Sequence, residues 1–193
     1  ILYLADKGGD EQDHIYLLQS DGTTKDLTPD PKEKADILRW SQDKKKLYFT
    51  SNKRNPQFFD IYRMSSNDWK SGMHYQNNDG MEIAGISGDG NLIALQKSIT
   101  TSENQLFLYD LASKQQKEIS DPSQKGNYNS SGFSKSGEFM DYITNAGKEF
   151  SYLVRYNLAT GEKTTLYQTN WDVMYSYTSE NEKYRVIGIN EDG

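Results

Sequence analysis

The chain has 193 residues, 34% of them hydrophobic and 12% aromatic, with no Cys and a net charge of −6 from 22 Lys+Arg against 28 Asp+Glu. An acidic, evenly mixed balance lacks the basic patch of a phosphate-backbone binder, which excludes nucleic acid as a partner. The missing Cys removes disulfides, thiolate nucleophiles and Cys-ligated zinc, and no run approaches the roughly 18 apolar residues of a membrane-spanning helix.

From the start of the chain, Ile1–Ala5, His14–Gln19 and Lys25–Thr28 alternate apolar and polar residues between turn signals, as strands do. Ile1–Ala5 has neither the basic stretch nor the cleavage site of a signal peptide, and no initiating Met precedes it. A processed or excised chain is the expectation. Next, Lys46–Ser51 is aromatic and β-branched, and Leu92–Gln96, Phe139–Thr144 and Tyr184–Ile189 stand in the same place later on. Each follows an apolar residue, a hydroxyl residue and a polar turn: Trp40-Ser41, Ile86-Ser87, Phe133-Ser134 and Tyr177-Thr178. The hydroxyl residues lie 46, 47 and 44 positions apart. A second series, starting at Ile15, Ile61, Leu106 and Leu153, repeats at 46, 45 and 47. Two series sharing one period are poorly explained by chance.

No segment sustains an apolar period of about 3.6, so the repeat is not helical. A repeat of roughly 40–45 residues with four strands is the signature of a β-propeller blade. The expected fold is therefore all-β, a β-propeller of four-stranded antiparallel blades. Residues 1–28 read as the last three strands of a blade, 29–78, 79–122 and 123–169 as whole blades, and 170–193 as two strands of another. That makes 17 strands and about four blades' worth of chain, one strand more than a closed four-bladed ring would use, so the expectation is an arc of a larger propeller.

Candidate site residues are few. His14 precedes a strand and His74 lies on an outer one; both read as surface or half-buried histidines, and no metal or other cofactor is expected. The Asp-Gly pairs at 21–22, 79–80, 89–90 and 192–193 lack the alternating ligands of a calcium loop and read as hairpin turns. Gly8-Gly9 is not followed by the Lys-Ser/Thr of a phosphate cradle, and Lys44-Lys45-Lys46 reads as a solvated turn. Asn129-Ser130-Ser131 fits a glycosylation sequon by its three residues alone. Trp40 holds the place of Ile86, Phe133 and Tyr177, which assigns it to packing between blades rather than to ligand stacking.

The apolar–Ser–x–Asp–Gly turn before an aromatic strand resembles the blades of TolB-like propellers. Longer strings resemble the N-terminal propeller of bacterial prolyl oligopeptidase-family serine peptidases: Ser51-Asn52-Lys53-Arg54-Asn55-Pro56-Gln57-Phe58-Phe59-Asp60-Ile61-Tyr62, Tyr75-Gln76-Asn77-Asn78-Asp79-Gly80, the run Phe150–Gly161, and Asn170-Trp171-Asp172-Val173-Met174-Tyr175. That resemblance implies an α/β-hydrolase domain of the same parent chain as partner, carrying the catalytic Ser, Asp and His, with the propeller limiting access to short or unfolded peptide substrates. No catalytic residue is expected in this chain, because it has no Gly-x-Ser-x-Gly nucleophile elbow; Gly85-Ile86-Ser87-Gly88-Asp89 lacks the second Gly.

Aminopeptidases of that family pair acidic propeller residues with the substrate's amino terminus, and the resemblance offers Glu103 and Glu149, in loops between inner and middle strands, for that role. The paired glutamates on a short helix typical of dipeptidyl peptidases are not visible. The alternative is a TolB-like periplasmic propeller that binds a protein or peptide without catalysis. A sugar-cleaving propeller enzyme with a histidine-held metal fits poorly with two His so differently placed. A periplasmic or secreted location is favoured over a cytoplasmic one.

Overall fold

The computed structural model describes residues 1–192; Gly193, the second half of the expected Asp192-Gly193 turn, lies outside the described residues. All 17 regular elements among the described residues are β-strands. They form antiparallel sheets in which consecutive strands are neighbours. The all-β, four-strand repeat expected from the sequence is present.

The chain falls into two compact units, the first of which is Ile1–Gly80. It holds a three-stranded sheet of β1 (Leu2–Ala5), β2 (His14–Leu18) and β3 (Thr24–Asp26), then a four-stranded sheet of β4 (Ala35–Trp40), β5 (Lys46–Asn55), β6 (Phe58–Ser65) and β7 (Ser71–Tyr75). Ile15 of the first sheet and Leu27, just past β3, meet Ala35, Leu47, Phe49, Tyr62 and Met64 of the second, and Trp40 and Trp69, edge to face with each other, pack against this core. Trp40 is thus packing material, and each large side chain buried here contributes roughly 1.5–3 kcal/mol.

The second unit starts at Met81. It holds β8 (Glu82–Ile86), β9 (Leu92–Thr100), β10 (Glu103–Asp110) and β11 (Gln115–Glu118) in one sheet. A second sheet has β12 (Tyr128–Phe133), β13 (Phe139–Thr144), β14 (Tyr152–Asn157) and β15 (Lys163–Tyr167), and a third pairs β16 (Asp172–Thr178) with β17 (Arg185–Asn190). Ala94 and Leu106 of the first sheet, with Ile119 just past β11, pack against Met140, Tyr142, Val154 and Tyr156 of the second. The opposite face of that second sheet places Ile143 and Leu153 against Val173 and Ile187 of the third. Asp141 fastens the same seam, bound at 2.9 and 3.1 Å by Arg155 and also by Arg185, whose Nη1 donates to Ser176 Oγ at 2.9 Å.

One device builds every first-to-second-strand turn. The hydroxyls of Ser41, Ser87, Ser134 and Ser179 accept from the amide five residues on, at 2.9, 2.9, 3.0 and 3.1 Å. The residue three past the serine is left-handed each time: Lys44, Gly90, Gly137 and Glu182, with φ between 54° and 81°. Glycine costs nothing there, which explains two of the four.

This turn corrects the sequence alignment of the last repeat. The turn residue is Ser179, not Thr178, so Thr178 rather than Tyr177 occupies the place of Trp40. Tyr177 is 58% exposed, unlike Ile86 and Phe133. The bulge that precedes the turn is displaced as well: it falls at Leu38, Ala84 and Ser131 in three sheets but at Met174 in the fourth.

Candidate functional site

In a four-stranded antiparallel sheet the second-to-third-strand connection and the exit of the fourth strand share one end, opposite the serine turns. In the first unit this end is built around two buried carboxylates, Glu33 and Asp60. Ser51 Oγ donates to Glu33 Oε1 at 2.6 Å and accepts from Lys53 N at 3.1 Å. Arg54 grips Asp60 with the Nε–Nη2 edge of its guanidinium, Nε donating at 2.6 Å and Nη2 at 2.9 Å, and Nη2 also donates to Asn77 O at 2.9 Å. Asn77 N closes the ring by donating to Asp60 Oδ1 at 2.8 Å.

The Asp60 carboxylate strengthens the hold of Arg54 on its proton. Burial, then the charges of Asp60 and Glu33, push the Tyr62 hydroxyl up. Lys53 Nζ lies 4.0 Å above the Tyr62 ring. These bonds clasp the β5–β6 hairpin, which presents exposed Pro56 and Gln57 at its tip.

In the second unit the same end carries both expected glutamates. Glu103 is not in a loop, as expected, but opens β10: it pairs with Thr100 beside a bulge that gives the strand its irregular start. Its Oε2 lies 3.9 Å from Lys125 Nζ. Glu149 is exposed on the β13–β14 connection, beside Lys148, which bonds Gln168 Oε1 and stands 4.0 Å over the Tyr152 ring. Glu103 at the start of β10 and Glu149 on the β13–β14 connection thus stand at the same end of neighbouring sheets, without a hydrogen bond or ion pair between them among the described residues.

The histidines resolve differently. His14 is not at the surface: it is 3% exposed, and its Nδ1 lies 2.8 Å from Asp26 Oδ2. The physical reason is the repeat itself. The residue before the third-strand core position is His14, Asp60, Gln105 or Tyr152, and in the first three its side chain reaches toward the outer strand or the segment after it. Gln105 Nε2 donates to Glu118 Oε1 at 3.0 Å, as His14 meets Asp26. Burial pushes Asp26 up, but the bonds from His14 and Thr28 N outweigh it and hold the carboxyl below its usual range. His74 is half-buried against the Tyr48 ring at 5.1 Å. Among the described residues no group of three or more His, Asp or Glu could hold a metal ion, and no helix is long and apolar enough to cross a membrane.

Residues 2–104 match the dipeptidyl peptidase IV (DPP IV) N-terminal region, which is just over half of the chain. The chain belongs to this family. A curated relative, dipeptidyl aminopeptidase BIII of Pseudoxanthomonas mexicana, is 38% identical over 93 residues, covering 46% of this chain and 13% of that protein. The chain thus spans about an eighth of the relative's length. Among solved structures, TolB from Acinetobacter baumannii superposes over 100% of this chain and 47% of its own, at 16% identity and a TM-score of 0.74. Prolyl oligopeptidase B from Galerina marginata covers 96% of this chain and 28% of its own, at 12% identity and a TM-score of 0.62. These likenesses establish the propeller fold for a DPP IV N-terminal region chain. The Arg54–Asp60–Asn77 ring and the Glu33–Ser51 bond lie within the matched segment. The sequence signal that could have found the ring was Arg54 standing six residues before Asp60, across a Pro56-Gln57 turn.

Proposed function

We propose that this chain is the non-catalytic propeller part of a prolyl oligopeptidase-like serine peptidase, restricting peptide access to a hydrolase domain of the same polypeptide. The observation that carries the reading is the family match over residues 2–104 in a chain with no Gly-x-Ser-x-Gly elbow. The sheet end with the second-to-third-strand connections is the surface offered to substrate. There Glu149 is the better placed to meet a peptide's amino terminus, since Glu103 already faces Lys125. Loops on a rigid scaffold are where such contacts belong.

The test is to treat the full-length polypeptide with a fluorophosphonate probe and map the labelled peptide. The expected result is one labelled Ser outside residues 1–193, with cleavage of short peptides and none of a folded protein. A full-length polypeptide that takes no label, yet retains a peptide or protein partner, would overturn the peptidase reading in favour of a TolB-like binding module.

A further inference from the structure

Near the end of β14, Tyr156 carries a hydroxyl that its protein surroundings do not serve. The residue is 2% exposed, and its Oη has no hydrogen-bond partner among the described residues. Buried polar groups are as a rule paired, because leaving one unpaired is costly. Packing does not require a hydroxyl here. Tyr156 stands three residues past Leu153, and the same place past Ile61 is filled by Met64, fully buried and without a hydroxyl.

Two lysines from neighbouring sheets converge on this hydroxyl. Lys163 of β15 is the cross-strand partner of Tyr156, and its Nζ reaches back to donate to Ile119 O, just past β11, at 2.7 Å. Lys117 of β11 comes the other way, its Nζ 5.5 Å from the centre of the Tyr156 ring. Gly161 marks where they meet. A Cβ there would lie 3.3 Å from Lys117 Nζ and 3.4 Å from Tyr156 Oη, so a side chain at 161 would crowd both groups. Neither lysine forms an ion pair among the described residues, in a chain with 28 Asp+Glu against 22 Lys+Arg. Bonds from Ser123 Oγ and N, and the charge of Lys163, hold Asp121 below its ordinary range, yet that carboxylate makes no ion pair with Lys163. The charge belongs to this seam and not to the repeat, since Met64 has Ser71 opposite it and Tyr109 has Gln116.

We propose that the Lys117–Tyr156–Lys163 seam binds a small free oxyanion of the phosphate class. All three groups can donate and two are cationic, which together select a ligand that only accepts and is negatively charged. The Tyr156 hydroxyl donates to one ligand oxygen and the Lys117 ammonium to another, while Lys163 adds its charge and keeps its bond to Ile119 O. The bound anion ties the outer strand of one sheet to β14 and β15 of the next. The proposal does not depend on the peptidase reading, because it uses none of the residues assigned to substrate.

The test titrates the full-length polypeptide with inorganic phosphate at constant ionic strength, balanced with chloride, and follows binding by phosphorus NMR. Tyr156→Phe keeps the ring and removes only the hydroxyl, and Lys117→Gln removes one charge. Each is expected to weaken phosphate binding about tenfold or more. Phenyl phosphate is expected to bind about tenfold or more weakly than phosphate, since the hydroxyl is buried and an ester is bulky; equal affinity overturns the free-anion assignment in favour of a phosphorylated ligand. The second measurement needs no variant: the unsubstituted polypeptide is treated with acetic anhydride and the modified lysines are quantified by mass spectrometry. Phosphate is expected to slow acetylation of Lys117 about fivefold or more, while Lys70, whose side chain is 86% exposed, reacts as before. Phosphate binding that is absent, or equal in the parent and Tyr156→Phe, overturns the proposal. Acetylation of Lys117 indifferent to phosphate overturns it too, and the Tyr156 hydroxyl is then served by water alone.

Discussion

The two ends of each sheet obey different rules. At one end the turn is the same object four times over, a serine hydroxyl accepting from the amide five residues on. At the other, β5 and β6 extend into a hairpin clasped by Arg54 and Asp60, β9 and β10 meet in a bulged turn at Glu103, and β13 and β14 are joined by an exposed connection through Glu149. A connection that only has to reverse the chain converges on one solution. The other connections differ from sheet to sheet, and loops that vary on a rigid scaffold are where recognition is to be looked for.

The sharpest way to break this contrast is at Asp60. Its carboxylate accepts from the Arg54 fork and the buried Asn77 amide together, so Asp60→Ala removes those three bonds and leaves Arg54 only its bond to Asn77 O. The expected loss is about 3 kcal/mol, read as a lowered urea midpoint. The loss reflects the groups left without their partner rather than the net worth of the pair. A variant as stable as the parent would show that the hairpin is not held by this ring.

The repeated end gives a smaller, reproducible effect. Ser87→Ala removes the acceptor for Leu92 N and the donor to Asp89 Oδ1, at a cost of about 1–2 kcal/mol, and Ser41→Ala should match it. The turn carboxylates add a pH signature. Bonds from Ser41 Oγ and Lys45 N hold Asp43 below its ordinary range. Asp89, though pushed up by burial, is held low by Ser87 and Asn91. A depressed folded value means the stabilisation is fully present above the unfolded value of about 3.9 and is lost as pH falls through the folded values. The thermal midpoint should therefore drop below about pH 4, and Asp89→Asn should flatten that acid limb. A limb unchanged by Asp89→Asn would remove the turns from the account.

The same contrast explains what could be read from the sequence. The serine turns sit in every repeat, so their period exposed the blades. The alignment slipped by one at Thr178-Ser179 because two adjacent hydroxyls look alike until one is seen to accept from Tyr184 N. The displaced bulge at Met174 removed the other cue. The variable end was less legible. Glu33 and Ser51 are 18 residues apart, and Asp60 and Asn77 are 17 apart, joined across separate strands with no local pattern to mark them. His14 was misread for the same reason, its partner Asp26 lying 12 residues on.

The smallest expected effect on stability falls at Glu149, and that smallness is its use. Glu149 is exposed and its carboxylate closes no buried ring, so Glu149→Gln should leave the unfolding midpoint within about 0.5 kcal/mol of the parent. Any change in peptide handling by the full-length polypeptide is then a direct effect. A carboxylate that meets a substrate's amino terminus discriminates free from blocked ends by charge. The KM for a free-amino peptide should rise about fivefold or more in Glu149→Gln, while the KM for its acetylated counterpart stays put. Glu103→Gln should move the same ratio less, because Lys125 already shares its charge. If both peptides respond alike, Glu149 is solvent-facing charge, and the recognition surface lies instead on the clasped hairpin beyond Arg54.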